Sequence, residues 1–462
     1  MFTQIKPYYT HYRALTQLGV PIIIGQIGTI VLGFADTLMI GRHSTAELGA
    51  AAFVNNMFVL VLIFAMGFAY GLTPIVGSLY GREENRKIGG MLKNSLVSNT
   101  LLAFFLVGVM TLLYLNLHRL GQPEELLPLM RPYFIVNLLS LPFVTWFNTF
   151  KQLSDGTTDT RTPMWILLGG NLLNIVGNYA LIYGKWGFPE LGLYGAGLST
   201  MISRIVMAVA FVAVFLFMPR YKVYKKGFGE LPINRADIRR LCKIGFPLSM
   251  QMGMETAAFS LSSVMVGWIG TTSLAAHQVM LTISQFFYMV YYGMGAAVAI
   301  RVSYFTGQRD YKAVKATAAA GFHLILLIAL AVSVPVMAWR DSLGTIFTDD
   351  ADVSRLVAQT IIPLIIYQFG DGMQCTYGNA LRGLAHVKPL MYTAFLAYFV
   401  IGLPLGYLFG IRMETGLLGI WLAFPFALTT AGLLYYYHFL RRLKQVWQYN
   451  RLQVPKRSAI KE

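Results

Sequence analysis

Residues 18–42, LGVPIIIGQIGTIVLGFADTLMIGR, and residues 244–268, IGFPLSMQMGMETAAFSLSSVMVGW, are two versions of one segment. With Leu18 set on Ile244, the register holds without a gap from 18–86 onto 244–312. Gly19, Pro21, Gly41, Gly67 and Gly81 then fall on Gly245, Pro247, Gly267, Gly293 and Gly307, and further on Pro163 meets Pro389 and Gly184 meets Gly410. Gly and Pro are chosen for what the backbone must do, so matches concentrated there indicate two halves that share a fold.

Both copies are far too apolar for a water-soluble core. Hydrophobic residues make up 56% of the chain and charged ones 12%, and the apolar runs repeatedly exceed the roughly 20 residues a helix needs to cross ~30 Å of hydrocarbon. Twelve spans are predicted, near 15–40, 52–78, 92–117, 130–150, 163–184, 193–219, 243–267, 278–303, 316–339, 354–378, 391–411 and 416–440. The first run is too long for a signal-peptide core and lacks a small-residue cleavage site, so it is expected to remain as span 1. Six spans per half is an even number. The halves therefore enter the membrane in the same direction, as parallel repeats about an axis along the membrane normal. The expected fold is all-α and integral to the membrane, with an amino-terminal lobe (1–219), a polar linker (220–242), a carboxy-terminal lobe (243–440) and a basic tail (441–462).

Most of the 37 Lys and Arg residues fall in alternate loops and the two termini, on the side that also holds the linker. The positive-inside rule puts that side, with both termini, in the cytoplasm, in a bacterial inner membrane. The net charge of +17 is thereby explained without nucleic acid: the clusters RYKVYKK, RRLCK and RRLK abut spans, where they meet anionic headgroups, and no array of stacking aromatics accompanies them. Cys242 and Cys375 have neither disulfide nor metal spacing, the seven histidines form no HxxxH or HExxH pair, and no Walker A loop is present. No enzyme and no cofactor is expected. Parallel repeats enclosing a cleft, with no nucleotide site, point to a secondary transporter driven by an ion gradient. It is expected to act as a monomer.

Asp36, Glu255 and Asp371 lie inside apolar runs, where a carboxylate is costly and is kept mainly to bind an ion, a proton or a substrate. They break the repeat, facing Ser262, Thr29 and Thr145 respectively, so the two halves differ in chemistry. In span 1, Thr29, Gly33 and Asp36 share a helix face; in span 5, Asn171, Asn174 and Asn178 do the same. Such faces turn inward, either as interhelical glue or as a site. In the carboxy-terminal half Tyr367 precedes Asp371, and Gln251 precedes Glu255, by one helical turn. Two carboxylates drawn together at low dielectric need a cation or a proton between them, and an aromatic face adds cation–π attraction; alternatively each acid hydrogen-bonds locally. Arg204, in span 6, either pairs with Asp36 or reaches a polar crevice. Asp155 and Asp159, in LSDGTTDTRTP, read first as turn residues. The buried formal charges are thus expected to be three carboxylates and one arginine.

The segments GFADTLMIGR (33–42), LSDGTTDTRTPM (153–164), NLLNIVGNYALIYGKWGFPELGLYGAGLST (171–200), SLAAHQV (273–279) and IYQFGDGMQ (366–374), in this order on a duplicated chain, resemble the multidrug and toxic compound extrusion (MATE) family, specifically its NorM-like branch. The likeness runs over about 15–442. It implies a V-shaped pair of six-helix lobes and a multidrug efflux antiporter that exports organic cations, drugs or dyes, in exchange for Na+ or H+. It further implies that Asp36, Asn174, Asn178 and Thr200 form an amino-lobe substrate or proton site, and that Glu255, Asp371 and Tyr367 form a carboxy-lobe cation site, with Glu255 and Asp371 as Na+ ligands. The rival is a flippase for a lipid-linked precursor, which calls for a cationic cavity.

Overall fold

The computed structural model describes residues 8–121 and 123–453, and no strand occurs among them. The amino-terminal half contains α1 (Tyr9–His43), α2 (Thr45–Ala69), α3 (Leu72–Gly81), α4 (Asn85–Leu115), α5 (Leu127–Gly156), α6 (Arg161–Ile182) and α7 (Gly192–Phe217), followed by the short α8 (Lys222–Glu230). The carboxy-terminal half contains α9 (Arg235–Ile269), α10 (Thr271–Gly307), α11 (Tyr311–Ala338), the single turn α12 (Arg340–Leu343), α13 (Ala351–Gly383), α14 (Lys388–Ala394), α15 (Leu403–Tyr407) and α16 (Gly416–Gln453). Helices are what such runs must form, because hydrocarbon offers no partner to a free backbone N–H or C=O.

Each of the twelve expected spans corresponds to a helix or to consecutive helical pieces of this set, four of them running one or two residues past the helix end. Span 2 is α2 plus α3, bent at Tyr70 and Gly71, and span 11 is α14, α15 and two π-helical stretches, Phe395–Gly402 and Leu408–Arg412. Among the described residues, eleven segments are long and apolar enough to cross a membrane by length and composition. The twelfth, α9, carries Gln251, Glu255, Thr256 and several serines, which lower its hydropathy, yet it is the 35-residue counterpart of α1. The linker is folded, since α8 lies on α4, where Lys93 Nζ donates to Leu231 O at 2.6 Å and Asn234 N–H to Asn94 Oδ1 at 2.8 Å. At the other end, α16 continues beyond 440 to Gln453, so the start of the expected tail is helix; residues 454–462 lie outside the described part.

The duplication shows in the backbone. Glu83 and Arg309, equivalent residues in the α3–α4 and α10–α11 turns, both sit at φ 61°. It shows more strongly where the lobes meet. α1 packs on α10, its counterpart α9 packs on α2, and α3 packs on α10, the reciprocal pairing that a two-fold axis requires. A Cβ on Gly81 would lie 2.1 Å from Tyr304 O, and one on Gly307 would lie 2.2 Å from Ser78 O; Ser78 and Tyr304 are themselves equivalent. Gly67 faces the Ser249 backbone and Gly293 faces the Ile23 N–H in the same reciprocal way. The repeated glycines are the seam between the lobes. This seam runs along the end of the molecule that bears α8, whereas Gly33 and Gly253, further along α1 and α9, meet nothing within 4 Å.

Candidate functional site

Between the lobes lies a cavity of about 450 Å³, lined by Glu255 from α9, Ser284 and Tyr288 from α10, Tyr367 and Asp371 from α13, and apolar residues of α2. Glu255 Oε1 accepts from Tyr398 OH at 3.1 Å and from Gln374 Nε2 at 3.3 Å, and its Oε2 accepts from Gln251 Nε2 at 3.4 Å. Three neutral donors hold the carboxylate with no fixed cation among its hydrogen-bond partners. Asp371, 5% exposed, has Cys375 Sγ at 3.8 Å from Oδ1. Gln374, three residues after Asp371 on the same helix, reaches across to Glu255. The Tyr367 hydroxyl hydrogen-bonds to Ser284, and its ring stacks on Trp421 at 6.1 Å. Tyr367, Asp371 and Glu255 thus converge on one cavity, with Gln251 behind Glu255 as its hydrogen-bond donor.

Gln374 and Tyr398 escaped the sequence reading. Gln374 ends the IYQFGDGMQ segment, one turn from Asp371, and was legible there. Tyr398 sits in an apolar run whose helix is not regular. Pro404 supplies no N–H to the carbonyl four residues back, and the ladder re-registers so that Leu403 N–H bonds to Tyr398 O, five residues away. That extra residue per turn alters which side chains face α9, and no helical periodicity reveals it.

In the amino-terminal lobe, Asn178 Nδ2 donates to Asp36 Oδ1. One turn earlier, Asn174 Nδ2 donates to Thr200 Oγ1 at 3.1 Å and to Ser203 Oγ at 3.4 Å, while Ser199 Oγ donates to Asn174 O at 2.8 Å. Asp36, Asn174, Asn178 and Thr200 therefore form one polar seam between α1, α6 and α7. Asn171 departs from it and lines a second cavity of about 230 Å³ with Gln26, Thr29, Lys151 and Arg204. Arg204 is in no ion pair among the described residues; its Nη1 donates to Ser140 Oγ at 2.6 Å.

The charge inventory drawn from sequence is corrected here. α5 runs on to Gly156, which puts Asp155 inside the helix one turn from Lys151, and the two form a buried ion pair at 2.8 Å. Arg382, 8% exposed, lies over the Tyr70 ring at 4.9 Å, and Asp159 is buried, accepting from the Tyr221 hydroxyl at 3.1 Å. The buried charges thus exceed three acids and one arginine. Among the described residues no group of three or more His, Cys, Asp or Glu is placed to hold a metal.

A duplicated bundle of membrane-spanning helices around a charged cleft defines a membrane transporter, not an enzyme. Comparison with known proteins agrees. The MatE family model matches twice, over residues 21–180 and 247–408, one match per repeat, and the chain belongs to this family. It is 30% identical over 452 residues to the probable multidrug resistance protein NorM of Mannheimia succiniciproducens, covering 96% of each chain. To the protein of the same name from Photorhabdus laumondii it is 30% identical over 420 residues, covering 89% of this chain and 92% of that one. A crystal structure of MATE in complex with MaL6 superposes with a TM-score of 0.85 at 19% identity, over 95% of this chain and 97% of that one. The fold is thus the V-shaped twelve-helix arrangement of two six-helix lobes.

Proposed function

We propose that this protein is a multidrug efflux antiporter of the bacterial inner membrane, exporting small organic cations in exchange for Na+ or H+. One observation carries the reading: Glu255 and Asp371, two carboxylates without a fixed counter-cation among their partners, line one cavity of about 450 Å³ whose other walls are largely aromatic and aliphatic. A cavity of that size suits drug-sized ligands. Aromatic and methionine walls such as Tyr288, Met252 and Met289 bind apolar bodies with little discrimination. The relatives named as multidrug resistance proteins support the cargo class. The positive-inside asymmetry supports a cytoplasmic α8 end, and with the seam closed at that end the cleft would face outward.

In the exchange, ionised Glu255 and Asp371 attract the cationic cargo. Entry of Na+ or H+ onto the same carboxylates removes that attraction, and the cargo leaves. Coupling follows from competition for one charge, so influx of one cation drives efflux of another. The Asp36–Asn178 seam is a second acid available to a proton in the other lobe. The test is efflux of a fluorescent organic cation from proteoliposomes under an imposed Na+ or H+ gradient. Gradient-driven efflux that collapses when the gradient is dissipated supports the reading, and its absence with either ion overturns it.

A further inference from the structure

A third, narrow cavity of about 70 Å³ is lined by Glu255, by its partners Gln251 and Gln374 and, two turns further along α13, by Arg382. It has room for a few waters and extends over about 12 Å of that helix. Arg382 stands at the seam end: a Cβ on Gly383 beside it would lie 2.8 Å from Ala299 O of α10, between the Gly293 and Gly307 contacts. There its guanidinium, 8% exposed, lies 4.9 Å from the Tyr70 ring of the other lobe, and the Tyr70 and Tyr292 hydroxyls hydrogen-bond to each other. The buried Nε of Arg382 has no hydrogen-bond partner, and among the described residues Arg382 is in no ion pair. Asp155, which feels its charge, is already taken by Lys151 at 2.8 Å. A buried, unpaired cation is costly and is kept for what it does. In the first repeat the equivalent residue is Gly156, where a Cβ would lie 2.7 Å from the Val76 side chain, so that copy has no room for such a charge.

We propose that Arg382 seals the coupling cation from the cytoplasm, as a fixed positive charge that closes the polar route below Glu255 until the lobes part. This rests on the antiport reading above for the identity of the ion, Na+ or H+. A cation moving off Glu255 toward the seam meets the guanidinium in a low-dielectric neck, where like charges repel strongly. Cation–π attraction to Tyr70 across the lobe boundary holds the charge in place while the seam is shut. Movement of α13 away from Tyr70 breaks that contact and carries the charge out of the ion's path. Release of the ion is thereby tied to the parting of the lobes, and no cation crosses without a turnover.

The test uses the full-length protein in proteoliposomes with no organic cation present and an imposed inward Na+ or H+ gradient, with entry read by an entrapped Na+-sensitive dye or by pyranine. The wild type is expected to be tight. Arg382→Gln is expected to raise cation entry about tenfold, and Arg382→Lys, which keeps the charge, to retain most of the seal. Tyr70→Phe removes the hydroxyl contact but keeps the aromatic face, and is expected to stay tight. Combining Arg382→Gln with Glu255→Gln should lower the leak, because the route begins at Glu255. Equal entry in wild type and Arg382→Gln overturns the proposal. So does a leak that passes Cl− as well or persists in the double variant, since that marks a loosened bundle. Arg382→Met is the second neutral variant where the Gln variant does not insert; failure of both where Arg382→Lys inserts makes the charge structural and overturns the seal. Gradient-driven dye efflux by the wild type is measured in parallel: its absence defeats the antiport reading, while the leak ratio still reports on Arg382.

Discussion

Replacing Glu255 with Gln tests the coupling site at the least structural cost. The amide has the size of the carboxyl and keeps an oxygen for the Tyr398 hydroxyl, which sits 3.1 Å from Oε1. Its NH2 end then opposes the Gln251 donor that now reaches Oε2 at 3.4 Å, a long contact whose loss costs about 1 kcal/mol of stability. The effect on a bound cation is larger. Unit charges ~4 Å apart at an effective dielectric of ~20 attract by about 4 kcal/mol. Desolvating the ion and the carboxylate offsets roughly half of that, leaving about 2 kcal/mol, or about 30-fold in affinity. In proteoliposomes loaded with a fluorescent cation, the external Na+ or H+ activity giving half-maximal efflux should therefore rise about 30-fold. Asp371→Asn should act in the same direction, because both acids line one cavity. Half-maximal activities within a factor of two of wild type, from variants that insert and elute normally, would refute the site.

Asp36→Asn removes the charge while leaving an oxygen for the Asn178 amide; it is expected to stop or uncouple ion-driven efflux, and normal transport at every pH would make the amino-lobe acid structural. Gly81→Ala and Gly307→Ala place a Cβ 2.1 Å from Tyr304 O and 2.2 Å from Ser78 O, so each should cost about 1–3 kcal/mol, and the two variants should lower the melting temperature in detergent to the same extent; a large effect from one and none from the other would contradict a two-fold seam. A neutral isostere of an exported dye should leave the liposomes far more slowly than the cation, and equal rates would detach the acids from cargo selection. His386, in the turn between α13 and α14, is pushed from its usual 6.5 down to about 4, chiefly by burial and further by Arg442 and His438. Its neutral form is the one the fold favours, so its contribution to stability is present above pH ~6.5 and is lost as pH falls toward ~4. Melts across that window should flatten in His386→Gln, and an unchanged slope would refute the assignment.

How far sequence led depended on what each residue was constrained by. The glycine pairs 67/293 and 81/307 were legible because a seam of touching backbones permits no side chain in either copy. Glu255 and Asp371 were legible because an apolar run makes any carboxylate conspicuous. Lys151 and Asp155 were not, since their separation matters only once α5 is known to continue past the turn-like residues to Gly156. Tyr398 was hidden by the π-helical register. Equivalence under the repeat explains the rest of the cleft. Val59 and Gln285, Ile63 and Met289, and Met66 and Tyr292 are equivalent pairs, and both members of each line the larger cavity; Thr29 and Glu255 are equivalent and line the smaller and the larger cavity respectively. The duplicated backbone therefore delivers the same wall positions from both sides. In the second copy the position carries a carboxylate, and in the first a threonine, with Arg204 in the same cavity. The seam tolerates no such divergence because each glycine there is held by the other lobe's backbone, whereas a wall residue answers only to what passes through the cleft.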